Sequence, residues 1–210
     1  CLLESIVLFL LLINLPDNKK IAEKYGLSLQ KLEMTESGGG FIQVLKEKKK
    51  LLVLFAGIIF LFVGHNTLNT YLINIVENIG GGETEMGIAN AVTAAIELPG
   101  MLLGGCLLLK FSGGNILRFA AVMFVIKSVL TLAARNVPML IMAQLFQMLA
   151  YGFFTPVSVY YINSVVPISY RVSGQTALGI AVLGLGGFFG NLCGGLLLDI
   201  ASTSAMLFFC

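Results

Sequence analysis

The sequence has no tryptophan, a single histidine, five prolines and only 11% charged residues over 210 positions. Ordinary soluble domains carry about 25% charge, so a water-facing globule is excluded. No GxSxG, HExxH or P-loop pattern occurs. The stretch GLGGFFG at 184–190 matches a phosphate-cradling glycine pattern only in part, and it lies inside an apolar run. Catalysis is therefore not expected, and neither is a cofactor. Cys1, Cys106, Cys193 and Cys210 show no CxxC or CxxxC spacing, which points to buried free thiols and away from a metal site. A basic face on a soluble module is also missing, so nucleic acid is not a partner.

What the chain has instead is apolar length. Hydrophobic residues make up 57% of it, and the mean hydropathy is +0.92. A membrane span needs about 20 mostly apolar residues. Full spans are expected at about 51–76, 86–109, 116–134, 139–161 and 176–200, with partial ones at 1–15 and 203–210. The expected fold is an all-α polytopic membrane protein, a half-bundle of five full and two partial helices in a lipid bilayer. The chain opens at Cys1 inside one apolar run and stops at Cys210 inside another, which reads as a segment of a longer protein.

Segment 16–50 is the exception, a hydrophilic linker with a surface helix expected around 19–33 and eight of the 13 Lys and Arg residues. Lys110, Arg118 and Arg171 fall on the same side of the expected spans, and the opposite side holds only Arg135. Eleven against one sets the orientation, because short cytoplasmic loops carry the excess of Lys and Arg. Loop 16–50 is thus expected in the cytoplasm of a multi-pass cell-membrane protein.

Within the spans, Glu97 and Lys127 are the clear mid-span charges. A central Lys or Asp costs about 2.5–3.5 kcal/mol on insertion scales, so each needs a reason to be there. They stand on consecutive antiparallel spans at similar depth, either as a structural ion pair or as a substrate or proton site. Asn90, Thr93 and Glu97 form one stripe, and Gln144, Gln147, Tyr151, Thr155 and Ser158 form another. Two stripes of this kind either glue helices together or line a wet cavity, and Asn66 and Asn69 add hydrogen-bonding groups to the cavity. His65 is a further candidate, as a proton carrier or as a plainly hydrogen-bonded side chain. Gly186, Gly190 and Gly194 recur every four residues and read as a helix-packing seam. Pro156 can kink its helix.

Four stretches together carry a resemblance: IELPGML with Glu97 and Pro99, Lys127 in its apolar span, AQLFQMLAYGFF, and YINSVVPISYRVSGQ leading to a glycine-rich span ending at Asp199. They resemble the C-terminal half of a major facilitator superfamily transporter, most closely the branch of lactose permease and the phenylpropionate and nucleoside proton symporters. The resemblance implies that 1–15 ends a sixth helix, 16–50 is the central loop, and helices seven to eleven and the start of a twelfth follow. It further implies proton-coupled uptake of a small polar solute (sugar, nucleoside or organic acid) by alternating access against a missing N-terminal half. Family members often have histidine where this chain has Gln147. Two rivals are an exporter of drugs or amphiphiles, with Met123, Phe124, Phe146 and Met148 as cavity walls, and a non-transporting scaffold or sensor.

Overall fold

The computed structural model describes residues 48–210, together with Phe41, Leu45 and Lys46. The expected partial helix at 1–15, the surface helix at 19–33 and nearly all of loop 16–50 lie outside the described residues. Seven helices follow in order among those described: α1 Lys49–Thr70, α2 Leu72–Asn78, α3 Glu83–Leu107, α4 Gly113–Ala133, α5 Val137–Val165, α6 Ile168–Ile200 and α7 Thr203–Phe209. Five of them, α1, α3, α4, α5 and α6, are long and apolar enough to cross a membrane. No strand occurs among the described residues. The all-α fold with five spans thus agrees with the sequence.

Local chemistry sets the helix ends. Ser112 caps α4 by accepting from Asn115 N at 3.4 Å, and Asn136 caps α5 by accepting from Met139 N at 3.0 Å with Pro138 just inside. At α2 the chain turns sharply on Gly80, whose φ of 83° suits a residue without a side chain. Gly81 N donates to Val76 O at 2.9 Å and Gly80 N to Glu77 O at 3.0 Å, the reciprocal pair of a Schellman stop.

The span expected at 51–76 is broken at Tyr71, where the helix changes from α1 to α2. Helix α6 begins at Ile168, eight residues before the expected 176. Its first two turns are polar, and hydropathy does not register them. Arg171 Nε donates to Asn163 O at 3.0 Å, and Gln175 Nε2 to Asn163 Oδ1 at 2.9 Å, so these turns fold back on the end of α5. Lys48 Nζ donates to Val165 O at 2.6 Å and ties the start of α1 to the same place.

Helix α1 is central, with 67% of its span buried against 11% for α3. One apolar cluster joins α1, α4 and α5 through Leu54, Ile58, Phe62, Ile116, Ala120, Phe124, Phe154 and Val157. A second gathers Leu68, Leu72, Val76, Leu140 and Met206 at the far end. Cys106 stands exposed on α3, contrary to the expectation of a buried thiol, because α3 has so little of the chain packed around it. Cys193 is half-buried and Cys210 buried.

Candidate functional site

The site grows from a close approach of two backbones. A side chain at Gly100 on α3 would stand 2.6 Å from Met148 O on α5, and one at Gly152 would stand 3.0 Å from Gly100 Cα. Only hydrogen fits at both, so α3 and α5 meet main chain to main chain. That contact brings Glu97, three residues before Gly100, against Gln147, five residues before Gly152.

Gln147 then joins the two charges. Lys127 Nζ on α4 donates to Gln147 Oε1 at 2.7 Å, and Gln147 Nε2 donates to Glu97 Oε1 at 2.8 Å. An ammonium has only donors and a carboxylate only acceptors, which leaves the amide a single orientation. The expected direct Glu97–Lys127 pairing is therefore corrected to a three-residue chain with a neutral amide in the middle. Lys127 is 2% exposed and Gln147 1%, whereas Glu97 is half-buried. Burying a charge without partners is costly, and here each charge has a charge-assisted hydrogen bond.

Immediately after Gln147 the helix widens into a π-helical segment, Met148–Gly152, which carries Tyr151. A second one, Ile180–Leu185, interrupts α6. Segments of this kind often mark functional positions, and here both border one cavity of about 210 Å³. Glu97, Gln147 and Tyr151 line it from α3 and α5, and Phe62, His65, Asn66 and Asn69 from α1. Val182 and Leu183, from the second π-helical segment, complete the wall.

His65 is held among rings. It stacks on Tyr151 at 5.3 Å between centroids and 14° between planes, and meets Phe62 and Phe124 edge-on at 5.4 and 5.2 Å. Asn69 Nδ2 lies 2.9 Å from His65 Nε2. Asn66 Nδ2 donates to Val182 O at 3.1 Å, fixing α1 to the widened part of α6.

The structure separates the remaining candidates from the cavity. Gln144 is buried and meets Thr93 Oγ1 at 3.5 Å, away from the lining. Thr155 and Ser158 bond to carbonyls of their own helix, Tyr151 O at 2.9 Å and Thr155 O at 3.0 Å, so the stripe from 144 to 158 does not line one wall. Asn90 is exposed on α3. Met123, Phe124, Phe146 and Met148 are not in the cavity wall; Phe124 is buried behind His65.

Gly186, Gly190 and Gly194 face α1. A side chain at Gly190 would stand 2.5 Å from Val63 O, and one at Gly194 would stand 2.6 Å from the Tyr71 ring. Along the same contact Thr67 Oγ1 donates to Gly190 O at 2.8 Å, Thr70 Oγ1 to Asn191 Oδ1 at 2.7 Å and Tyr71 OH to Asn191 O at 2.7 Å. Most of the polar residues at 66–71 therefore fasten α1 to α6. Among the described residues, no group of three or more His, Cys, Asp or Glu could hold a metal ion.

A family model described as "MFS_1 like family" matches residues 1–209, nearly the whole chain. The chain belongs to that family. It is a transporter family, so this MFS_1-like chain is a multi-pass membrane protein with a small-molecule substrate, and not an enzyme. No curated protein and no solved structure matches it.

Sequence reasoning missed Phe62, Val182 and Leu183, which are apolar among apolar neighbours and carry no signal of their own. It also missed the bridging place of Gln147. The one available hint was that Glu97 and Gln147 lie three and five residues before a glycine.

Proposed function

We propose that this chain is the C-terminal half of a secondary active transporter that takes up a small polar solute with protons by alternating access. The solute binds in the cavity beside Glu97. The observation that carries this reading is the Lys127–Gln147–Glu97 chain, which runs from a buried cation to a carboxylate on the cavity wall. Structural glue alone gives no reason for the anionic end to open into space.

Glu97 serves as the group that solute and proton share. Gln147, Tyr151, Asn66 and Asn69 offer hydrogen bonds, and His65 braces Tyr151. A facing N-terminal half would complete the site and rock against this one about it. The protein lies in the cell membrane with loop 16–50 in the cytoplasm, as the excess of Lys and Arg on that side supports.

The test uses the full-length transporter in proteoliposomes, with a panel of labelled polar solutes under an imposed proton gradient. A substrate should accumulate with the wild-type protein when the outside is acidic. Lys127→Ala and Glu97→Ala should each abolish that accumulation. Undiminished accumulation in both variants would sink the reading.

A further inference from the structure

The cavity has a sign. Lys127 is not among its lining residues, and its ammonium is spent on Gln147 with 2% exposure. Among the described residues, Glu97 is the one formal charge on the wall, so the buried chain presents its negative end to whatever enters. The amides reinforce this. Asn66 commits its nitrogen to Val182 O at 3.1 Å, and the Asn69 nitrogen lies against His65 Nε2 at 2.9 Å. The side-chain oxygens of both are left as the free ends on residues that share the cavity lining with Glu97. The Phe62 and Tyr151 rings also line the cavity, and aromatic rings attract cations.

We infer that the cavity selects a cationic solute, a protonated amine being the simplest, and turns away organic anions. This rests on the proposed role of the cavity as the transport site and narrows its substrate class. An ammonium entering the cavity would exchange water for a carboxylate oxygen, amide oxygens and aromatic neighbours, all of which favour positive charge. A carboxylate entering would meet the same lone pairs with no accessible cation, and would lose its hydration without replacement. On this reading an amine-bearing solute takes the place of the organic acid suggested by the resemblance.

The sign can be measured without knowing the substrate. In the full-length transporter with every native cysteine replaced by serine, Cys1, Cys106, Cys193 and Cys210 among them, a single reporter is introduced as Asn69→Cys or, separately, Leu183→Cys. Each is reacted with a trimethylammonium-bearing and a sulfonate-bearing methanethiosulfonate of similar size, and both rates are corrected by those with 2-mercaptoethanol. The corrected ratio should favour the cationic reagent by about tenfold or more, as expected for one unit charge a few ångströms away. Glu97→Gln should bring it close to unity, and Lys127→Met should raise it.

A ratio at or below unity overturns the proposal, and so does a ratio that Glu97→Gln leaves unchanged. Failure of both cysteines to react with either reagent also overturns it, since the cavity would then be closed to solutes. The two readings fail separately. Loss of the cation preference with transport intact means a different solute class, whereas a cation preference with no Glu97-dependent transport refutes the transport site.

Discussion

Gln147 holds two buried charges apart and also holds them in place. Its oxygen is the hydrogen-bond acceptor the structure gives the Lys127 ammonium, at 2.7 Å. Replacing Gln147 with leucine leaves that ammonium buried without an acceptor, and breaking a buried ionic partnership costs about 3–5 kcal/mol. Gln147→Leu should therefore lower the denaturation midpoint of the purified protein sharply. The triple change Lys127→Met, Gln147→Leu, Glu97→Gln should recover most of the loss, because no bare charge remains inside. If the single and triple variants melt alike, the chain does not act as a unit. This bridge was only partly legible in the sequence. Glu97 and Lys127 stand out as charges in apolar runs, but which neutral residue lies between them depends on how closely α3 and α5 approach.

Between elements, two glycine contacts do different work. Helices α1 and α6 meet along Gly186, Gly190 and Gly194, where a side chain at 190 would stand 2.5 Å from Val63 O. Gly190→Ala forces the pair apart, and overpacking of this kind costs about 1–3 kcal/mol. Gly105→Ala on α3 has nothing within 4 Å of the added carbon and should leave stability unchanged. Unfolding both variants in the same detergent tests the contrast; equal losses would deny the seam its role. The four-residue spacing of 186, 190 and 194 makes this seam readable from sequence. The Gly100–Gly152 contact is not readable, since Gly152 is the one glycine of α5 but α3 offers it Gly87, Gly100, Gly104 and Gly105, and only packing chooses among them. The helices themselves were legible wherever apolar length defines them, and were misjudged at α6, whose polar first turns hold on to Asn163.

Among the described residues, the cations at the ends of the spans gather at one end, Arg135 excepted. Lys48, Lys110, Arg118 and Arg171 lie where α1, α4 and α6 begin and α3 and α5 end, while Glu77, Glu83, Glu85 and Asp199 lie at the opposite end beside Arg135. That polarity predicts a fixed sidedness. A single cysteine introduced as Asn78→Cys should react with a membrane-impermeant maleimide in intact cells. One introduced as Ser164→Cys should react only after the membrane is opened. The reverse pattern would invert the proposed topology and place loop 16–50 outside. Sequence alone carries this argument, because the count of Lys and Arg between spans depends on no packing.

The main-chain contact of Gly100 with Gly152 has one more consequence. Because no side chain cushions the two helices there, the root of residue 97 is set by the backbone and cannot drift to suit a shorter arm. Reach at that position is then a matter of length. Glu97→Asp keeps the charge but withdraws it by one methylene, so it should lose contact with Gln147 and behave in transport almost as Glu97→Ala does.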